Sequence, residues 1–254
     1  MKFFDTHAHY NDEKFDADRE EQIQKLAEND IAYVTVVGCN EKTSKQAVTL
    51  AKTHENLYAT VGISPNDLEG KISLESIEEL AKEPKVVAIG EIGLDYYWNK
   101  ENKELQQEIF MKQIDLANQL DLPICIHTRE AVQDTLEILK HRMPAKQKGI
   151  IHCCPLNVEL IKEVLKLGFM ISFSGNVTFK NAKNADKCIL QVPFDRILIE
   201  TDSPYLTPEP NRGKRNNPIY VKYVAQKIAQ VKQMKLEDIA KITLENAKRV
   251  YRIS

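Results

Sequence analysis

Short runs of apolar residues, many of them β-branched, recur along the whole chain and predict buried strands. Because the runs are continuous rather than alternating with polar residues, they are typical of strands covered on both faces, as in a parallel sheet. We expect eight strands, at residues 3–9, 31–38, 57–63, 86–92, 123–128, 149–153, 169–174 and 196–202.

Between these runs, apolar residues recur three or four positions apart, which indicates amphipathic helices. Helices are expected at residues 18–29, 43–54, 73–82, 103–120, 130–141, 157–167 and 181–190. Each opens near an Asn, Asp, Ser, Thr or Glu, as helix starts commonly do. Pro144, Gly149 and Gly168 mark returns to a strand. Two more helices, at 217–232 and 235–250, follow the last strand.

Eight strands that alternate with helices predict an α/β protein, a (β/α)8 TIM-type barrel with an additional C-terminal helix. A doubly wound open sheet is the alternative, but it needs a glycine-rich phosphate loop after its first strand. That place is taken here by His7, Ala8 and His9. No internal repeat or linker divides the chain, so we expect residues 1–254 to form a single domain.

Ionisable side chains end five of the predicted strands. His7 and His9 end the first, and alternate residues of a strand point to the same side. In a barrel, the carboxyl ends of all strands meet at one face, where active sites form. That face would collect six side chains, namely His7, His9, Glu91, His127, His152 and Asp202. The two remaining histidines, His54 and His141, end helices, where a cation complements the dipole, so we expect them to be structural.

Four imidazoles and two carboxylates that follow hydrophobic strands are costly to bury unless they pair or bind metal. Any one of them could simply cap a loop, but the set of six indicates one or two divalent cations. A bridging Glu91 would hold two metals about 3.5–4 Å apart, as in enzymes that hydrolyse phosphates and amides. Histidine ligands favour zinc or another transition metal, whereas phosphate chemistry often uses magnesium or manganese, so the identity of the metal stays open.

The composition narrows the choice of partners. The net charge of the 254 residues is -2, so a local patch would have to hold any polyanion. No apolar run approaches the roughly 20 residues of a membrane span, and no signal peptide is visible. Five cysteines without a paired framework fit buried thiols in a reducing compartment. We therefore expect a cytoplasmic protein with no membrane partner and no obligate protein partner.

Seven motifs resemble, in the same order, those of the TatD family of metal-dependent deoxyribonucleases, which belongs to the amidohydrolase superfamily. They are DTHAH (5–9), GEIGLDYY (90–97), PICIHTRE (123–130), HC (152–153), SFSG (172–175), ETDSPYL (200–206) and RGKRNNP (212–218). The resemblance implies a TIM-type barrel that hydrolyses DNA phosphodiesters, with single strands or strand ends as expected substrates. It also implies the ligand sets: His7, His9, Glu91 and Asp202 for one metal, and Glu91, His127 and His152 for the second.

We hypothesise that the metals lower the pKa of a bound water and that Asp202 accepts its proton as a general base. Glu91 is the second residue assigned to catalysis, as the bridge. Donors at the rim would position phosphate, and we expect this of Arg129 and of the basic loop with Arg212, Lys214 and Arg215, because loops after strands 7 and 8 often bind phosphate.

Aromatic side chains at the same rim, Tyr96, Tyr97 and Trp98, could stack on unpaired bases or pack over the barrel mouth. One position departs from the family. Where the family has histidine in its motif after strand three, this chain has Ser64, which can donate a hydrogen bond to phosphate but carries no charge. Substrate preference is the property that this change would affect.

Two alternatives to the nuclease hypothesis also fit the sequence. The same metal centre would serve another amidohydrolase-type reaction, on an amide, a lactone or an aminoacyl ester such as D-aminoacyl-tRNA. A non-catalytic binding protein with a weakened site is the second, and Ser64 is its main support. Six intact ligands argue against the second alternative.

Overall fold

The computed structural model describes residues 1–68, 72–142 and 148–254. Eight parallel strands follow one another in chain order around a barrel: β1 (Phe3–Ala8), β2 (Ile31–Val37), β3 (Leu57–Val61), β4 (Val86–Asp95), β5 (Ile124–Arg129), β6 (Gly149–Ile151), β7 (Met170–Phe173) and β8 (Ile197–Ile199). The predicted TIM-type barrel of the α/β class is confirmed. No helix of the described residues is both long and apolar enough to cross a membrane.

The barrel closes where the segment after β8 meets the end of β1. An isolated bridge pairs Ala8 with Ser203. The backbone N–H of His9 donates to the carbonyl of Ser203 at 2.7 Å, and that of Asp202 donates to the carbonyl of His7 at 2.9 Å. Closure therefore fixes the distance between the end of β1 and the segment after β8, both of which carry predicted metal ligands.

Helices connect the strands: α1 (Arg19–Gln24), α2 (Glu41–Thr53), α3 (Glu75–Ala81), α4 (Lys103–Leu120), α5 (Val132–His141), α6 (Val158–Lys166), α7 (Ala185–Gln191), α8 (Val221–Lys232) and α9 (Leu236–Tyr251). The first is shorter than predicted, because a separate 3-10 turn at Ala27–Asn29 ends the segment and the left-handed Asp30 leads into β2. The additional C-terminal helix is α9. Pro144 lies outside the described residues.

Apolar side chains from strands on different sides of the barrel meet in its interior. Phe4 of β1, Ile150 of β6 and Leu198 of β8 belong to one buried cluster, which Tyr251 at the end of α9 joins. The hydroxyl of Tyr251 donates to the carbonyl of Thr6 at 2.9 Å. Tyr251 therefore joins the end of α9 to the barrel interior, next to the residue that precedes the predicted ligand His7.

Strand β4 is longer than predicted and carries the site with it. It runs on to Asp95, which pairs with Arg129 of β5, and the register shifts between Ile89 and Ile92. Such irregularities re-aim side chains and are common next to active sites. Glu91 lies within the shifted stretch, so its side chain is placed by the sheet itself.

Candidate metal centre

The six side chains predicted as metal ligands converge at the carboxyl end of the barrel. Each lies in the last part of a strand or just beyond it, which is where the eight strands bring their ends together. Three subsets hold potential ligand atoms that all lie within 4.8 Å of one another: His7, His9 and Glu91; His7, His152 and Asp202; and Glu91, His127 and His152.

The carboxylate of Glu91 lies between two pairs of imidazoles. Its Oε2 is 3.4 Å from Nε2 of His7 and 3.8 Å from Nε2 of His9. Its Oε1 is 3.0 Å from Nδ1 of His127 and 3.5 Å from Nε2 of His152. Each oxygen therefore faces one pair, which is what a carboxylate needs in order to bridge two cations.

Asp202 completes the group around His7 and His9. Its Oδ1 lies 3.3 Å from Nε2 of His9 and 3.7 Å from Nε2 of His7. Its backbone is left-handed, with a φ of 55°, a conformation that aspartate tolerates better than most residues. The side chain is 17% exposed, so Asp202 meets both the buried imidazoles and the solvent above them.

Oxygen acceptors of the protein lie at the outward ring nitrogens of three of the four histidines. Nε2 of His127 lies 2.9 Å from Oδ2 of Asp95, and Nδ1 of His152 lies 3.2 Å from Oε1 of Glu200. A backbone carbonyl lies 3.3 Å from Nδ1 of His9. An acceptor there keeps the proton on the outer nitrogen, so that the inner nitrogen presents its lone pair. The donor set therefore fits a metal ion.

Both carboxylates of the centre are held in the charged form. Burial alone would raise the pKa of Glu91, but the charge of His152 and the hydrogen bond from His127 lower it well below its usual value. Burial also opposes the charge of Asp202, and the hydrogen bond from His9 lowers its pKa. Two ionised and largely buried carboxylates create a strong local attraction for cations.

Nearby carboxylates favour protons on three of the histidines, namely His9, His127 and His152. Burial disfavours the imidazolium of His127, but hydrogen bonds to Asp95 and Glu91 raise its pKa to about 9. Burial is also outweighed at His152, where the charges of Glu91 and Glu200 raise the pKa well above its usual value. A metal ion that binds these nitrogens must therefore displace protons.

Another buried carboxylate, Asp5, links the end of β1 to the segment that follows β8. Its Oδ1 accepts from the backbone N–H of Thr201 at 2.9 Å and of His7 at 3.2 Å. Its Oδ2 accepts from the hydroxyl of Thr201 at 2.5 Å. Since Thr201 directly precedes Asp202, these bonds fix the position of one predicted ligand relative to another.

The chain belongs to the family described as TatD related DNase. The family's sequence profile matches residues 4–252, which include all six predicted ligands. YabD of Bacillus subtilis strain 168, an uncharacterized metal-dependent hydrolase, is 47% identical over 253 residues and covers 99% of each chain. YcfH of Escherichia coli K12, named in the same way, is 37% identical over 256 residues, which cover 100% of this chain and 97% of YcfH.

The crystal structure of YJJV, a TatD homolog from Escherichia coli K12, has a TM-score of 0.93 to this chain at 27% identity. The match covers 99% of this chain and 98% of YJJV. Similarity in sequence and similarity in fold therefore both support the assignment of this chain to the family. The chain is a TatD-family metal-dependent hydrolase with a group of His, Glu and Asp side chains that could hold a metal.

A cavity of about 1020 Å³ opens above the candidate metal centre of this TatD-family chain. Five of the six predicted ligands line it, with His7 buried beneath them. Ser64 and Arg129, two of the residues predicted to contact substrate, also line the cavity. Ser64 is 3% exposed, and its Oγ lies 3.4 Å from the backbone N–H of Asn66. Arg129 ends β5, two residues after His127, and is exposed.

The structure does not bring Tyr96 into the cavity. Its side chain is 5% exposed and turns into the protein, where the hydroxyl donates to Asp134 at 2.7 Å and accepts from Gln107 at 2.8 Å. Of the two alternatives that the sequence leaves open for this ring, the structure agrees with packing rather than stacking on a base.

The basic loop after β8 also turns away from the cavity. The guanidinium of Arg212 stacks on Phe179 at 3.9 Å from the ring centroid and donates to the carbonyl of Thr207. Arg215 donates to both carboxylate oxygens of Asp18, at 2.8 Å and 2.6 Å. Neither arginine lines the cavity, because the loop folds back against other surface segments.

Two carboxylates that support the centre were not predicted from the sequence. Asp95 and Glu200 accept from His127 and His152, and Glu200 also accepts from the backbone N–H of Cys153 at 2.8 Å. Both residues stand in matched motifs, at even spacing from a predicted ligand: Asp95 lies four residues after Glu91, and Glu200 lies two before Asp202. Residues an even number of positions apart point to the same side of an extended strand. This spacing is the sequence feature from which Asp95 and Glu200 could have been predicted.

Proposed function

We propose that this chain hydrolyses the phosphodiester bonds of DNA with the help of two divalent cations. One would be held by His7, His9, Glu91 and Asp202, and the other by Glu91, His127 and His152. The observation that carries this proposal is the carboxylate of Glu91, each oxygen of which faces one imidazole pair. The outer-nitrogen partners Asp95 and Glu200 support it.

When bound, the cations would lower the pKa of a water molecule and neutralise charge on the phosphoryl oxygens. Asp202 is placed to accept the proton of the attacking water, because its carboxylate lines the cavity and is ionised. Its Oδ1 faces His9, while no hydrogen bond of the described residues uses its Oδ2. That free oxygen makes Asp202 the best candidate for the general base.

Two features favour a phosphate substrate. The family is described as a DNase family, and Arg129 presents a cation at the wall of the cavity, where it would attract a phosphate. Four imidazoles favour zinc or another transition metal, whereas the carboxylates would also accept magnesium or manganese. The cleavage experiment therefore compares several divalent metals.

An aminoacyl ester, such as D-aminoacyl-tRNA, is the second candidate substrate, and the charge of the cavity wall favours it. Besides the predicted ligands and Asp95, the carboxylates of Asp12 and Glu130 line the cavity. Arg129 is the one Lys or Arg among its described lining residues. An ester that carries a free ammonium group would meet complementary charge on this wall, whereas a second phosphate would not.

The decisive experiment is cleavage of end-labelled single-stranded and duplex DNA by purified protein, with magnesium, manganese, zinc or EDTA. Asp202→Asn and Glu91→Gln should abolish cleavage, and metal analysis should show whether each retains its ions. Glu137→Gln, on the exposed face of α5, is the matched acid-to-amide control and should cleave like the wild type.

Cleavage that needs metal and is lost in Asp202→Asn would support a nuclease. A folded, metal-loaded wild type that leaves DNA intact would contradict the proposal. The same preparations should then be tested on D-aminoacyl-tRNA, where metal-dependent release of the amino acid would establish the second candidate.

A further inference from the structure

We propose that Trp98 is a stacking surface for an unpaired nucleobase beside the metal centre, held in place by Tyr97 and Arg129. These three residues are called the rim cluster below. The inference rests on the proposed hydrolysis of nucleic-acid phosphodiesters and adds the feature that selects the substrate: a nucleotide whose base is not paired.

The first support is exposure. Three aromatic residues follow β4 in sequence, and they behave differently: Tyr96 is 5% exposed, Tyr97 is 47% exposed and Trp98 is 68% exposed. Trp98 lines the cavity together with Arg129. The indole at the mouth of the cavity is largely exposed to solvent. A flat aromatic ligand that stacks on it would bury this apolar surface, which is favourable.

The second support is rigid placement. Oδ1 of Asp95 accepts from the backbone N–H of Tyr97 at 2.9 Å and of Trp98 at 3.1 Å. Oδ2 of the same carboxylate lies 2.9 Å from Nε2 of His127. One side chain therefore fixes both the turn that carries the indole and an imidazole of the metal centre, so the distance between them is set before a substrate binds.

The third support is the guanidinium of Arg129. It lies 3.8 Å from the ring centroid of Tyr97 and 5.5 Å from that of Trp98. It forms no ion pair with any carboxylate in the described part of the chain. The cation thus covers the ring of Tyr97, leaves the larger indole for a base, and keeps its charge available for the adjacent phosphate.

This arrangement discriminates by base pairing. A base within a duplex is stacked on both faces and cannot lie on Trp98, whereas a base in a single strand can. Every base has a flat face, so the rim cluster would select unpaired nucleotides with little preference for sequence.

Trp98 is the only tryptophan of the chain, so fluorescence excited at the red edge of the absorption spectrum, where the nine tyrosines do not absorb, reports on this residue alone. The metal-loaded protein would be titrated with three phosphorothioate oligonucleotides of equal length, which resist cleavage: a single strand of thymidylate, an abasic single strand and a blunt-ended duplex of two fully paired strands. The thymidylate strand should quench the emission strongly, and the other two should not. Equal quenching by the abasic strand, or none by thymidylate at saturating binding, would overturn the inference.

Kinetics separate this inference from the proposed function. Trp98→Ala should raise the KM for single-stranded DNA about tenfold with little change in kcat, and Trp98→Phe should recover most of the loss. Leu190→Ala, which truncates another exposed apolar side chain on α7, is the matched control.

On a cleavable abasic strand, wild type and Trp98→Ala should have the same raised KM, because no base is present to stack. A wild type that cleaves DNA while Trp98→Ala keeps the normal KM would refute the stacking surface alone. A wild type that cleaves no nucleic acid would refute the proposed function, whatever the variants do.

Discussion

Oδ2 of Asp95 lies 2.9 Å from Nε2 of His127, on the side of the imidazole that faces away from Glu91. This contact sets which nitrogen of His127 carries the proton and leaves Nδ1, 3.0 Å from Glu91, to bind metal. The same carboxylate holds the turn that leads to Trp98. A residue outside the predicted ligand set is therefore central to the geometry of the site.

Replacement of Asp95 by asparagine should weaken metal binding at His127 about 10- to 100-fold, because the neutral amide no longer supports the imidazole. Competition with a metal chelator would measure the change. Asp134→Asn is a suitable control, since Asp134 bonds to Tyr96 rather than to a ligand. Unchanged affinity in Asp95→Asn would show that the contact does not orient His127.

The same pair predicts how the chelated protein responds to pH. Burial opposes the charge on Asp95, but the hydrogen bond from His127 lowers its pKa to about 2. Its contribution to stability is present above its ordinary value and is lost as the pH falls through 2. His127, with a pKa raised to about 9, contributes below its ordinary value of 6.5 and loses this contribution as the pH rises through 9.

In EDTA, the difference in free energy of unfolding between wild type and Asp95→Asn should be greatest between about pH 4 and 6.5. It should shrink as the pH rises to 9. Urea denaturation at a series of pH values would measure it, with Asp134→Asn again as the control. A difference that grows over this range would contradict the assignment of charge to His127.

Metal binding should strengthen as the pH rises. Because the carboxylate of Glu91 keeps a proton on His127, with a pKa of about 9, a metal ion that takes that nitrogen must release it. We expect affinity to rise by up to about tenfold per pH unit for each proton displaced. Calorimetry in two buffers of different ionisation enthalpy would count the protons, and a count of zero would contradict this ligand assignment.

Much of the fold follows from the sequence. Continuous apolar runs such as Ile31–Val37 and the alternating helices predict the barrel without tertiary information. The additional helix α9 was also predicted, although its role was not. Its Tyr251 packs in a cluster with Phe4 of β1, a contact between the two ends of the chain that local periodicity does not encode.

The convergence of the six side chains proposed as ligands could be predicted because a barrel brings all strand ends to one face, whatever the loops do. The contacts of the basic loop could not. Arg215 reaches Asp18, 197 residues away in sequence, and this partner depends on how the loop after β8 folds back. A cluster of basic residues in sequence indicates charge, but the tertiary structure decides whether that charge faces the site.

Arg215 therefore yields a prediction that separates stability from catalysis. Replacement by alanine should lower the free energy of unfolding by about 1 kcal/mol, since a partly exposed, two-pronged ion pair with Asp18 is lost. The kcat/KM for DNA should stay near that of the wild type, because Arg215 does not line the cavity. Thermal denaturation and cleavage assays would measure the two effects, with Arg129→Ala as the comparison. A large loss of activity without loss of stability would return Arg215 to the substrate site.

Ser64 takes the place of the family histidine and lines the cavity with 3% of its surface exposed. Replacement by alanine should lower kcat/KM by no more than about tenfold, because one neutral hydrogen bond contributes about 0.5–1.5 kcal/mol. Stability should change little, since within residues 1–68, 72–142 and 148–254 its Oγ has only a 3.4 Å contact, with the backbone N–H of Asn66. Steady-state kinetics on single-stranded DNA would test this, with Ser73→Ala as an exposed control near the start of α3. A loss of a hundredfold or more would mean that the Ser64 hydroxyl acts on the reacting phosphate rather than at its periphery.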